Sequence, residues 1–129
     1  MKVSDIMTKD VVTISPKASI KAAAREMRDN SIECLVVMSG DEFLGTITDK
    51  DLIRILASRK IHEPETISVG YAMENSRVYT TPDADIGKVM EKMSRNHIKK
   101  LAVLEGKRLV GIITSTDLAR SCPGFTLKK

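Results

Sequence analysis

Two stretches decide the architecture of this chain: Gly45-Thr46-Ile47-Thr48-Asp49-Lys50-Asp51-Leu52 and Gly111-Ile112-Ile113-Thr114-Ser115-Thr116-Asp117-Leu118. Both read Gly-x-Ile-Thr-x-x-Asp-Leu, and they stand 66 residues apart. The same offset lays residues 3–54 on 69–120 without a gap, and 18 of those 52 positions are identical. Ordinary composition would give only about three or four by chance. The identities include Met7/Met73, Val12/Val78, Pro16/Pro82, Ile20/Ile86, Met27/Met93, Asn30/Asn96, Gly40/Gly106 and Gly45/Gly111. The chain is one unit written twice, and every local pattern is read in duplicate.

Both copies parse alike. A short apolar strand (11–14; 78–80) is closed by Pro16 or Pro82. A helix follows, because Ile86, Val89, Met90 and Met93 share one face at helical spacing, as do Ile20, Ala23, Ala24 and Met27. Ser19 and Asp85 are placed to cap its start, and Asn30 and Asn96 suit its exit. Continuous apolar runs at 35–38 and 101–104 predict buried strands, and turns at Gly40-Asp41 and Gly106-Lys107 lead into strands at 43–47 and 109–113. A second helix starts at Thr48 or Thr114 and ends in copy two before Pro123-Gly124. Each copy is therefore β-α-β-β-α, and the fold class is α/β (α+β). The expected layout is repeat 1 at 1–57, a charged linker at 58–68 containing Pro64 (and open to an extension of the preceding helix), repeat 2 at 69–123 and a tail at 124–129. One copy is too small to bury its own sheet face, so the two are expected to pack as one module about a pseudo-two-fold axis.

Composition narrows the function. Aromatics are 3% with no Trp, so the core is aliphatic and Met-rich, with Met27, Met90 and Met93 as filler, and base-stacking platforms are disfavoured. Net charge is +4, unevenly spread: residues 3–54 carry seven Lys+Arg against nine Asp+Glu, and 69–120 carry nine against six. No long basic block accompanies it, so a nucleic-acid partner is permitted but not favoured. No apolar run approaches the roughly 18 residues of a membrane span, and the N-terminus lacks a secretory pattern. A cytoplasmic protein without a membrane partner is expected. Cys34 and Cys122 form no metal spacing or disulfide framework, and Cys34 opens an apolar run where a buried, inert thiol is expected. His62 and His97 have no Cys or carboxylate arrangement for metal binding or catalysis, and Lys128-Lys129 reads as a frayed tail. Without a nucleophile–base arrangement, Walker loop or metal set, an enzyme is not expected.

The duplicated motif carries the chemistry. Thr followed three residues later by an acid resembles a helix capping box, although Asp is a methylene shorter than the usual Glu, so capping alone tolerates it without demanding it. The same geometry suits a ligand. A helix start favours anionic groups, while a carboxylate repels phosphate and is better matched to a neutral diol that donates two hydroxyl hydrogen bonds. Ribose has that diol, so the motif points to a nucleoside or nucleotide.

Two gapless β-α-β-β-α copies, each closing on Gly-x-Ile-Thr-x-x-Asp-Leu, resemble the CBS-domain pair, or Bateman module, over nearly the whole chain. The resemblance implies a non-catalytic sensor of adenosine ligands. AMP, ADP, ATP or S-adenosylmethionine would act as regulatory ligand, no cofactor would be required, and output would pass to a separate, unidentified protein. It also implies a homodimer of two pairs and two clefts. One cleft would use Thr114, Thr116 and Asp117 with Ile14, Ser15, Pro16 and Ile32. The other would use Thr48, Lys50 and Asp51 with Thr80, Thr81, Pro82 and Ile98, and backbone groups near Ile14 and Thr80 would read the adenine edge.

The copies differ where the family often has His or Arg before the second strand. Copy two has His97-Ile98-Lys99-Lys100, whereas copy one has Ser31-Ile32-Glu33-Cys34. The lysines suit phosphate as point charges or are simply solvated strand-edge residues; Glu33 opposes an anion. The Asp117 cleft, with Lys99, is therefore the favoured phosphate site, and Lys100 is assigned to the second cleft. A ligand-free dimerisation or interaction scaffold, and less so a nucleic-acid-binding protein, stand as alternatives. Leu52, Ile53, Ile55 and Leu56 spread around the second helix, which suits burial on two sides, within the module or at a homodimer face.

Overall fold

The computed structural model describes residues 1–58, 63–73 and 78–122. The readings of His62, Pro123-Gly124 and Lys128-Lys129 lie outside the described residues. Copy one runs α1 (Val3–Ile6), β1 (Thr13–Ile14), α2 (Ile20–Asn30), β2 (Cys34–Ser39), β3 (Glu42–Thr48) and α3 (Asp49–Leu56). A 3₁₀ turn at Pro64–Thr66 precedes copy two: α4 (Val69–Ala72), β4 (Tyr79–Thr80), α5 (Ile86–Asn96), β5 (Lys100–Glu105), β6 (Arg108–Thr114) and α6 (Ser115–Ser121). Each copy adds a four-residue leading helix to the expected β-α-β-β-α order, and its first strand is only two residues long. The helix α3 stops at Leu56, without the extension into the linker.

In each copy the first strand pairs in parallel with the second, and the second pairs antiparallel with the third. The apolar runs predicted as buried strands form the middle strands, with Leu35, Val36, Val37, Leu101, Ala102 and Val103 fully enclosed. Val37 pairs with Gly45 but Met38 with Phe43, so Leu44 is an extra residue; copy two repeats the bulge at Val110.

The long helices are bounded by local chemistry. Ser19 accepts from the Ala22 amide and Asp85 from the Gly87 amide. At the exits, the left-handed residues are Ser31 and His97, both at φ 54°, rather than the asparagines before them. The Ile32 amide donates to Met27 O at 2.9 Å and the Ile98 amide to Met93 O at 3.0 Å, which is a Schellman closure. Asn30 and Asn96 instead donate through Nδ2 to the carbonyls of Glu26 and Lys92. Their identity in both copies follows from that carbonyl capping.

The compact units do not coincide with the sequence copies. One unit joins Met1–Val11 to the chain from Val78 onward; the other spans residues 12–77. Each copy's leading segment is docked on the body of the other copy, through matching bonds. In the first unit the Val3 amide donates to Ala84 O at 3.0 Å, Ser4 to Pro82 O at 2.8 Å, and Ile86 to Met1 O at 3.2 Å. In the second, Val69 donates to Ala18 O at 2.7 Å, Gly70 to Pro16 O at 2.9 Å, and Ile20 to Ile67 O at 2.8 Å. Val3 and Val69, the first identical pair of the repeat, are both fully buried. Val3 joins Ile86, Val89, Met93, Leu101, Val103, Ile113 and Leu118; Val69 joins Ile20, Ala23, Leu35, Val37, Ile47 and Ile55. Thr8 continues the docking with a two-way backbone bridge to Ile112, at 2.8 and 2.9 Å. Gly111 makes room for it, since a Cβ there would come within 2.7 Å of Met7 Sδ and 2.9 Å of Thr8 O.

Cys34 is buried, as its apolar setting suggested. Of the two-sided burial expected of the second helix, the part within the module is corrected: Leu52 and Ile55 are buried, whereas Ile53 and Leu56 are 64% and 52% exposed. The helix has one packed stripe, and the rest faces outward within its unit.

A leading segment that belongs to the core has a measurable consequence. Val3→Ala, three residues from the N-terminus, is expected to cost about 2 kcal/mol from lost burial and the cavity left behind. Gly111→Ala is expected to cost about 1–3 kcal/mol by overpacking against Met7 and Thr8. Urea unfolding of both variants checks this; unchanged midpoints would mean that the segment contributes nothing.

Candidate functional site

In both copies the motif's Gly-x-Ile-Thr ends the third strand, and its Asp sits in the first turn of the next helix. Thr48 is the N-cap of α3, and Thr114 that of α6. The Asp51 amide donates to Thr48 Oγ1 at 3.3 Å, and the Thr48 amide donates to Asp51 Oδ2 at 2.9 Å. In copy two the corresponding bonds are 3.1 Å and 3.0 Å. Asp, a methylene shorter than the usual Glu, therefore closes the box in both copies. The N-cap residues are extended, at φ −116° and −122°, which turns their amides toward the carboxylate. Both carboxylates are buried, with 6% exposure for each residue.

The box uses one carboxylate oxygen, and the copies treat the other differently. Asp51 Oδ1 accepts from Arg54 Nη2 at 3.2 Å, and the same nitrogen donates to the Ala72 carbonyl at 2.9 Å. Arg54 thus ties α3 to the docked helix α4. Position 120 is also Arg, yet among the described residues it forms no ion pair with Asp117. Asp117 instead accepts from Thr8 Oγ1, at 3.3 Å to Oδ1 and 3.4 Å to Oδ2.

The electrostatic setting differs as well. In copy one, Glu33 O accepts from the Asp49 amide at 2.9 Å, and Asp49 Oδ1 accepts from the Lys50 amide at 2.9 Å. The first turn of α3 therefore gathers Glu33, Asp49 and Asp51. In copy two the same places hold Lys99, Ser115 and Asp117, with Lys99 O accepting from the Ser115 amide at 2.8 Å. Lys100 is the register partner of Thr114, so these residues leave the same face of the β5–β6 pair. Lys99 is exposed and Lys100 half-buried. The backbone at Lys99 and Lys100 thus lies beside the start of α6, where copy one has Glu33 and Cys34 beside a first turn of Asp49, Lys50 and Asp51.

The remaining expected site residues fall as follows. Ile14 is half-buried at the end of β1; Ser15 is exposed and accepts the Lys17 amide on Oγ at 3.1 Å. The carbonyls of Pro16 and Pro82 are taken by the docked leading helices. Ile32 and Ile98 are the apolar residues of the Schellman closures and pack on their cores. Thr80 is buried; Thr81, Thr116 and Lys50 are exposed. Thr8 and Arg54 were not singled out from the sequence. Arg54/Arg120 was visible as an identical pair next to the motif, whereas Thr8 meets a carboxylate 109 residues away and leaves no local signal. Among the described residues, no group of three or more His, Cys, Asp or Glu is placed to hold a metal ion, and no helix is long and apolar enough to cross a membrane.

If the boxes act as caps, Thr48→Val and Thr114→Val should each cost about 1 kcal/mol. Arg54→Met should cost less than about 1 kcal/mol, because the guanidinium is more than half exposed and its ion pair is screened. Denaturant midpoints test the ranking; an Arg54 variant worse than both Thr variants would reverse it.

The family model for the CBS domain matches residues 3–58 and again 69–124. Hypoxic response protein 1 of Mycobacterium tuberculosis is 32% identical over 121 residues, covering 92% of this chain and 83% of that protein. A homoserine O-acetyltransferase of Methanohalobium evestigatum is 34% identical over 125 residues, which are only 24% of its length. Among solved structures, the CBS domain pair of protein MJ0100, in complex with 5-methylthioadenosine and S-adenosylmethionine, superposes with a TM-score of 0.86 at 28% identity, covering 96% of this chain and 97% of that one. The CBS-domain protein ATU1752 of Agrobacterium tumefaciens gives 0.85 at 30% identity, covering 94% and 98%. With both repeats matched, and the pair's fold shared over nearly its full length, the chain belongs to the CBS-domain family as a pair of CBS domains.

Proposed function

We propose that the protein is a regulatory module that binds an adenosine nucleoside or nucleotide and acts on a separate protein. The observation that carries this reading is the pair of buried carboxylates, Asp51 and Asp117, each held in a capping box and reached by a further donor, Arg54 on Oδ1 of Asp51 and Thr8 across both oxygens of Asp117. A carboxylate held in this way can accept the two hydroxyls of a ribose without being free to approach a phosphate. The complex of the related MJ0100 pair with two adenosine compounds supports that class of ligand. For the base we retain the candidates read from the sequence, Ile14, Ser15, Pro16 and Ile32, and Thr80, Thr81, Pro82 and Ile98. Fusion of a similar pair to an acetyltransferase supports control of a partner, which this chain would reach by association. Binding regulates only if the ligand favours one of two states of the pair or its partner.

The two boxes are proposed to be unequal. Asp117 has a neutral hydroxyl as its outer neighbour and lysines at the helix start. Asp51 is already charge-paired to Arg54 and lies among acids. An anionic adenosine ligand is therefore assigned to Asp117, with Lys99 near its phosphates; Lys100 stays assigned to the second cleft.

Self-association is a second reading, favoured by Ile53 and Leu56 on α3 and by Tyr71 on α4, which is 71% exposed. At the 66-residue offset, Ile53 and Leu56 of copy one correspond to Ala119 and Cys122 of copy two, and Tyr71 of copy two to Asp5 of copy one, so this apolar face is not duplicated. A homodimer through this face predicts that Ile53→Glu lowers the sedimenting mass; a wild-type monomer at micromolar concentration would remove it.

The ligand proposal is tested by thermal shift with AMP, ADP, ATP, NAD, S-adenosylmethionine and GTP. A ligand at a hundred times its Kd stabilises the folded state by about 2.7 kcal/mol, so an adenosine ligand should raise the melting temperature by several degrees. In calorimetry, Asp117→Ala should weaken AMP binding by more than about ten-fold, and Asp51→Ala by less. No shift with any ligand would leave the interaction scaffold, and equal losses would remove the asymmetry.

A further inference from the structure

We infer that Thr8 is a positioning residue for Asp117, holding the outer carboxylate oxygen in place to accept a sugar hydroxyl. This rests on the proposal that Asp117 takes the ribose. Three observations lead to it. The capping box restrains Asp117 through Oδ2 alone, at 3.0 Å from the Thr114 amide, which leaves the carboxylate plane free to tilt about that bond. Thr8 Oγ1 spans both oxygens, at 3.3 and 3.4 Å, and so fixes the tilt while occupying little of their acceptor capacity. The Thr8 backbone is itself immobilised by its two-way bridge to Ile112 and by its close approach over Gly111. The hydroxyl is thus delivered from a fixed point on a segment 109 residues away in sequence.

Copy one solves the same problem in another way. Asp51 Oδ1 is held by a guanidinium that is anchored to Ala72 O. A charged donor holds its acceptor more tightly than a hydroxyl does, so a sugar must compete harder there. Neutral positioning by Thr8 leaves Asp117 with its full charge available to the ligand.

The test uses the full chain as wild type and as two variants, Thr8→Val and Thr8→Ser, with two probes, AMP and 2′,3′-dideoxy-AMP, which lacks the diol. Wild type should bind AMP more tightly than the dideoxy probe. Thr8→Val keeps the β-branched shape and backbone bridge but removes the donor; it should weaken AMP about five-fold and leave the dideoxy probe unchanged. Thr8→Ser should restore most of the loss. A Val variant that equals wild type for AMP, or that weakens both probes alike, overturns the positioning role, and melting temperatures of the three proteins expose a folding defect. A wild type that binds neither probe, or both equally, overturns the sugar reading of Asp117 and this inference with it.

Discussion

The constraint on which the structure depends is the docking of each leading segment onto the other copy. Val3 and Val69 are fully buried, and the backbone around each is bonded to the Pro-x-Ala segment of a body that the chain reaches only by crossing over. Without this docking, each body would lack a wall of its core. Its proline carbonyls, at Pro16 and Pro82, would also lose their amide partners. The exchange gives a physical reason for the pairing, because each body takes part of its core from the other copy. It also explains why the repeat is recognisable from Val3 onward even though its first strand begins only at Thr13.

The docking reaches the motif. In one unit the exchanged segment carries Thr8 to Asp117; in the other, the docked helix α4 supplies the Ala72 carbonyl that anchors Arg54 against Asp51. Each carboxylate is held by its own helix cap and by a contact that depends on the exchanged segment. A polar group taken out of water must be satisfied to be tolerated, and both carboxylates are satisfied in this way. The same duplicated motif thus supports two unlike settings: hydroxyl and lysines around Asp117, guanidinium and acids around Asp51.

Much of the fold was legible because it is local. Helix periodicity, the Ser19 and Asp85 caps, the buried middle strands and the Thr N-caps all follow from residues within a few positions of one another. The exchange was not legible for a definite reason. Shifting by one repeat maps Val3 to Val69 and Pro16 to Pro82, so a leading segment docked on its own copy and one docked on the other produce the same pattern of identities. Thr8 was hidden for the same cause. Asp as the box acid was underrated because its length was judged against Glu, whereas the extended N-cap backbone closes the gap. Ile53 and Leu56 differ: apolar residues on a helix marked a surface of the unit and not a second contact in its core.

Hydrogen exchange measured amide by amide tests the exchanged docking most directly. The Val3, Ser4 and Thr8 amides should be protected to the level of Ile112, because all four are bonded within one packed unit. Exchange of the first three at the rate of a frayed terminus, with Ile112 slow, would contradict the account.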